Sequence, residues 1–119
     1  MQLSPHFDSN EFACKDGCGF DHPHTELIAK LEKLRELCGH KPLHINSACR
    51  CQKHNKAVGG ASNSQHVLGK AADVRPPKGM TIEEFAHHAE QAGFGGIGKY
   101  NTFVHVDVRE GKARWDYRK

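Results

Sequence analysis

The stretch Ser64-Gln65-His66-Val67-Leu68-Gly69-Lys70-Ala71-Ala72-Asp73, taken with Phe103-Val104-His105-Val106-Asp107, constrains this chain more than any other part of it. His66 and Asp73 stand seven positions apart, an odd spacing, so on one flat strand they would face opposite ways. A bent segment is needed to bring both to one point; Gly69 supplies the bend, and Ala71 and Ala72 keep the approach free of bulk. In the later stretch, alternation puts Phe103, His105 and Asp107 on one face and Val104, Val106 and Val108 on the other. The valines therefore face a core and His105 is free to face a site. Two imidazole nitrogens and a carboxylate oxygen suit a zinc ion that keeps one coordination position for water, which makes His66, Asp73 and His105 the candidate metal ligands.

The pattern Ser-x-His-x-x-Gly-x-Ala-x-Asp, filled here by Ser64, His66, Gly69, Ala71 and Asp73, resembles the zinc D-Ala-D-Ala carboxypeptidase family, peptidase family M15, and in particular its short phage- and prophage-type members. Ser47-Ala48-Cys49-Arg50 is similar to that family's Ser-Gly-Tyr-Arg, and Gly95-Gly96-Ile97-Gly98-Lys99-Tyr100 leads into the His105 strand as in the family, so the resemblance spans residues 43–115. It implies a hedgehog/DD-peptidase-like fold, zinc on His66, Asp73 and His105, and hydrolysis of bonds near D-amino acids in peptidoglycan stem peptides. It also implies that Arg50 binds the substrate's terminal carboxylate, a group that a guanidinium fork fits in bidentate fashion. Ser64 and Gln65 would line the same pocket. The chain departs from the family where many members carry an acidic general base three positions before the last histidine ligand, because Thr102 stands there. Asp107 is the first substitute for that base, orientation of a ligand being its other role, and Tyr100 is a candidate to stabilise an oxyanion. The missing acid keeps alive a zinc-stabilised, non-catalytic binding module for the cell wall or a protein, as the hedgehog signalling domain exemplifies.

Other features narrow the function further. The net charge is +3, from 17 basic and 14 acidic residues, and no Lys/Arg block calls for nucleic acid, although a mildly basic surface suits an anionic wall polymer. No apolar run reaches the roughly 18 residues of a membrane span, and the N-terminus lacks the basic and apolar regions of a signal peptide. Synthesis in the cytoplasm is expected, with delivery to the wall by a holin, a phage particle or lysis. A chain of 119 residues suits one domain, with residues 1–24 as an N-terminal arm, 25–119 as core, and a monomeric state. Cys14, Cys18, Cys49 and Cys51 offer three readings: a structural zinc and hence a cysteine-zinc interaction domain, one disulfide, or reduced thiols, the last ranked first. Cys38 stands alone near a helix end.

In chain order, Phe7 and Phe12 anchor the arm. Leu27, Ile28, Leu31 and Leu34 mark a helix capped by Thr25 and stopped by Gly39. A strand over 43–47 and a helix over 50–57 follow; the loop 58–64 lacks the Gly-Lys-Ser/Thr ending of a phosphate cradle. Pro76 and Pro77 end the Asp73 strand. Thr81 and Glu84 form a capping box for a helix over 82–92, and Asn101-Thr102 tips a hairpin. Trp115 and Tyr117 are expected to pack the charged tail back, with sugar stacking a weaker role for Trp115. His22 and His24 read as loop residues, and His87 and His88 diverge on their helix too far to share a metal. The expected fold is a small α+β domain, with a central antiparallel sheet carrying the metal site and helices on the opposite side.

Overall fold

A computed structural model describes residues 2–15, 23–50, 55 and 65–118. The loop 58–64 with Ser64, the helix over 50–57 apart from Arg50 and Asn55, and Cys18, Cys51 and His22 lie outside the described residues. Strands β1 (Gln2–Ser4) and β2 (Phe7–Asp8) form a small hairpin. Helix α1 (Thr25–Leu37), β3 (His44–Ser47), β4 (Ala71–Arg75), α2 (Ile82–Ala92), β5 (Gly96–Lys99), β6 (Val104–Asp107) and β7 (Ala113–Asp116) follow.

Helix α1 buries Leu27, Ile28, Leu31 and Leu34, the three- and four-residue steps visible in the sequence. Its cap differs from expectation: Thr25 is already helical, and His24 is the N-cap, its Nδ1 accepting from the Glu26 N–H at 3.2 Å. The reason is a second tie, since the His24 N–H donates to the Gly69 carbonyl at 2.7 Å and holds His24 in extended backbone. At the other end Gly39 takes φ +79, the left-handed geometry that stops a helix. Helix α2 has the expected capping box: Thr81 Oγ1 accepts from the Glu84 N–H at 3.1 Å, and Glu84 Oε1 accepts from the Thr81 N–H at 3.0 Å. It buries Phe85, Ala86, Ala89 and Ala92.

The main sheet has the order β3-β4-β6-β5-β7. The pairs joining β3, β4, β6 and β5 are antiparallel, as expected, but β5 and β7 run parallel, so the sheet is mixed. The cause is topological. Residues 108–112 reverse the chain after β6 and carry it past the start of β5, where the Gly95 N–H donates to Asp107 and the Gly95 carbonyl accepts from Ala113. A strand antiparallel to β6 and laid beside β5 must run with β5. The charged tail, expected to pack back through Trp115 and Tyr117, does so as an edge strand.

Ala72, Val74, Val104, Val106 and Ile97 share the other face of this sheet and join Leu27, Leu31, Leu34 and Phe85 in one core. Each of these side chains larger than alanine contributes roughly 1.5–3 kcal/mol by leaving water. Phe7 and Phe12 close the core from the N-terminal side with rings 5.9 Å apart, and the Phe12 carbonyl accepts from the Cys49 N–H at 3.0 Å. Cys14, Cys38 and Cys49 are buried; burial pushes the Cys38 thiol up to about 11.

Candidate metal centre

Strand register does most of the placing. Ser47, Asp73, His105, Gly98 and Trp115 are successive partners across all five strands, and paired residues share a face. The adjoining row on that face is Ala71, Asp107, Gly96 and Ala113. Both rows lie on the side away from the helices. His66 reaches them from the turn 65–69, where the His66 carbonyl accepts from Gly69 and Arg50, and Gly69 takes φ +70.

His66, Asp73 and His105 therefore converge. Asp73 Oδ1 stands 3.2 Å from His66 Nε2 and 3.0 Å from His105 Nδ1, and all three donor atoms lie within 4.8 Å of one another. Their residues are 3 %, 7 % and 8 % exposed, so water screens them little. Atoms bound to a tetrahedral zinc at 2.0–2.1 Å stand about 3.3 Å apart, close to the 3.2 and 3.0 Å that separate Asp73 Oδ1 from the two histidines.

The proton inventory sharpens the fit. His66 Nδ1 donates to the Ala48 carbonyl at 2.7 Å, and His105 Nε2 donates to Asp107 Oδ2 at 2.7 Å. Neutral imidazole has one N–H, so in that state each ring turns a bare lone pair toward the same carboxylate oxygen of Asp73. Three lone pairs aimed at one point need a proton or a cation among them. At His105 burial alone would lower the pKa, but hydrogen bonds to Asp107 and Asp73 override burial and raise it. Burial likewise pushes the Asp73 carboxyl up, and the hydrogen bonds and charge of His105 and His66 bring it well below the usual carboxylate range. Two imidazole nitrogens and a carboxylate oxygen fit zinc in number, type and spacing.

Arg50 borders the cluster. Its guanidinium donates to Asp73 Oδ2 at 3.2 Å, Ser47 Oγ at 3.3 Å and Asn55 Oδ1 at 3.3 Å. Asp107 lies behind His105, fully buried. Its Oδ2 accepts from His105 Nε2 and from Arg109 Nη2, both at 2.7 Å, and its Oδ1 accepts from Arg109 Nε at 2.9 Å. Burial would raise the Asp107 carboxyl, but these bonds hold it well below the usual range.

Tyr100 lies farther off. Its hydroxyl accepts from Trp115 Nε1 at 3.0 Å and its ring stacks on Phe103 at 4.5 Å; Trp115 in turn stands 5.1 Å from the His105 ring. Gln65 is half-buried at the start of the turn, its carbonyl accepting from Leu68 and Lys70. Thr102 is exposed at the hairpin tip. His24 serves as a helix cap, and His87 and His88 ride on α2; none of them joins the cluster.

Three contributors escaped sequence reasoning. The Ala48 carbonyl carries no side-chain signal. Arg109 does leave one, since Asp107 and Arg109 continue the two-residue alternation of the His105 strand. Trp115 was legible as an anchor, but its place beside His105 depends on the parallel β5–β7 pairing.

Comparison with known proteins bears on the same residues. The profile of the Peptidase M15 family matches residues 5–107. The chain is similar to the zinc D-Ala-D-Ala carboxypeptidase of Streptomyces albus G, with 47% identity over 45 residues, 38% of this chain and 18% of that protein. It is also similar to the probable peptidoglycan L,D-endopeptidase MepK of Haemophilus influenzae, with 34% identity over 86 residues, 71% of this chain and 44% of that protein. In each case it spans less than half of the relative's length. With a family match over most of its residues and a His/Asp/His cluster at the centre of the matched region, the chain belongs to the M15 peptidase family.

Proposed function

We propose that this chain is a zinc-dependent peptidase that hydrolyses peptide bonds in peptidoglycan stem peptides, of the D,D-carboxypeptidase or endopeptidase type, with His66, Asp73 and His105 as metal ligands. The observation that carries the proposal is the convergence of three lone-pair donors on one buried point. When bound, zinc supplies Lewis-acid polarisation of the scissile carbonyl and acidifies the attacking water. The rest falls to the chain's own residues. Arg50 uses three of its five N–H groups on Ser47, Asn55 and Asp73 among the described residues, so it has donors left for a substrate carboxylate. Asp107 orients His105 instead of acting as the base, because a fully buried carboxylate with both oxygens hydrogen-bonded has no open path to substrate. Tyr100 accepts from Trp115 Nε1 through its hydroxyl oxygen, and a hydroxyl that accepts can still donate its own O–H; it and Gln65 take part at the rim. The substrate class rests on the two relatives' names, which share action on peptides and differ in the bond. The wall is then the place of action, reached through a holin, a phage particle or lysis. No helix among the described residues is long and apolar enough to cross a membrane.

The test is mass spectrometry of purified stem peptides after incubation with zinc-loaded protein, chelator-treated protein and His66→Ala. Cleavage by the first alone is the expected result, and the masses identify the bond. Peptides left whole but retained by the zinc-loaded protein would move the assignment to a binding module.

A further inference from the structure

We propose that Arg109, acting through Asp107, and Trp115, packed against Arg109 and the His105 ring, are positioning residues that lock His105 as the tautomer with its proton on Nε2 and so present Nδ1 to the metal. This rests on the metal reading above and adds the residues that make His105 a ligand through one particular nitrogen. Which ring nitrogen of a histidine binds a metal is set by the hydrogen bond the other one makes. Here that bond runs from Nε2 to Asp107 Oδ2 at 2.7 Å, to a side chain with no exposure at all. An ionised carboxylate only accepts, so the proton is placed on Nε2 as long as Asp107 stays ionised and stays put.

Arg109 provides for both conditions. Its Nε and Nη2 grip the two oxygens of Asp107 at 2.9 and 2.7 Å, a two-point contact that fixes the plane of the carboxylate as well as its charge. Trp115 packs against both ends of this arrangement: its ring lies 5.1 Å from the His105 ring, and the Arg109 guanidinium carbon lies over it at 5.4 Å. The backbone makes room for these two groups at two places. A Cβ on Gly96 would come within 2.2 Å of Asp107 Oδ2, and a Cβ on Gly98 within 2.2 Å of the Trp115 indole. Two glycines in one four-residue strand thus open the space that the carboxylate and the indole fill. His66 needs no such unit, because a backbone carbonyl holds its Nδ1 proton.

The test measures zinc affinity by competition with a chromophoric chelator, on the full chain and on Arg109→Gln, Arg109→Lys and Trp115→Phe. Loss of a partner behind a ligand typically lowers metal affinity about 10–100-fold. Arg109→Gln is expected in that range, Arg109→Lys to recover part of the loss because it restores charge but not the fork, and Trp115→Phe to lose least. Nitrogen-15 spectra of the zinc-loaded proteins give the independent readout. The His105 ring should show protonated Nε2 in the wild type, with that proton exchanging faster in Arg109→Gln. Zinc affinities within twofold of one another and unchanged ring spectra would overturn the assignment while leaving the metal site standing. A wild type that binds no zinc would instead bring down both. Arg109 is partly exposed and Arg109→Lys conserves its charge, so a folding defect in one variant, seen as a lowered melting temperature of the metal-free protein, leaves the other to decide.

Discussion

Two aspartates flank His105, and each is paired with an arginine, yet their surroundings differ. Asp73 offers one oxygen to two histidines and the other to a single N–H of Arg50, and it keeps 7 % exposure. Asp107 meets one histidine, is gripped at both oxygens by Arg109, and has no exposure. The same side chain is open-handed at the first position and closed at the second. A carboxylate becomes a candidate ligand when other lone pairs aim at one of its oxygens; it becomes an orienting group when every acceptor site is already taken by a donor.

The largest effect should come from exchanging each carboxylate for its amide. Asp73→Asn removes both the charge and a donor to the metal and should reduce zinc affinity by more than the roughly 10–100-fold expected of Asp107→Asn, which alters only the partner behind His105. Chelator competition measures both, and equal losses would erase the distinction between them. The next effect lies under the two side chains. Gly96→Ala drives a Cβ into a carboxylate held by four donated hydrogen bonds and should destabilise the fold by about 1–3 kcal/mol, read from urea unfolding. Gly98→Ala meets an indole at the partly exposed sheet edge that can swing aside, so its cost should be smaller. Trp115 is the chain's single tryptophan, and a shift in its emission would report the swing directly.

The smallest effect sets a surface reference. Glu32 also bonds a histidine and a hydroxyl, His6 at 2.7 Å and Ser4 at 2.5 Å, but near the surface. Burial is the largest single influence and raises its pKa, but the bonds from Ser4 and His6 together more than reverse that, so its folded pKa lies below its unfolded one. Such a group adds stability above its unfolded pKa of about 4.3 and loses it as the pH falls through the folded value. Glu32→Gln should therefore cost a few tenths of a kcal/mol at neutral pH, as surface pairs do, and the gap from wild type should close below about pH 4. A gap that widened on acidification would reverse that sign.

Much of this arrangement was legible from residue order. Alternation over 103–108 separated the buried valines from His105, the Thr81 and Glu84 pair placed the start of α2, and Gly69 marked the bend that brings His66 toward Asp73. What stayed hidden depends on partners distant in sequence. The run Ala113–Asp116 carries two charged residues, one on either side of its one aromatic anchor, and only a neighbour with glycine at position 98 lets it lie flat as a strand. The cap of α1 was misplaced by one residue because His24 is pinned by Gly69, forty-five positions away. Asp107 shows the limit most plainly: its place on the His105 face was readable, but whether it acts as base or as orienting group turns on Arg109.

The pairing of Asp73 with His105 has a further consequence for how the sheet finds its alignment. A slip of one residue between β4 and β6 would turn valines outward and is excluded by the core, but a slip of two keeps every apolar side chain on its proper face. Hydrophobic burial is nearly blind to that error. The polar row is not: slipped one way, Asp73 faces Asp107 and two carboxylates collide; slipped the other way, it faces Phe103 and finds no donor. The residues that would hold the metal thus act as a vernier for the two central strands, and a cation bridging them would pin the native alignment against its only well-packed competitors.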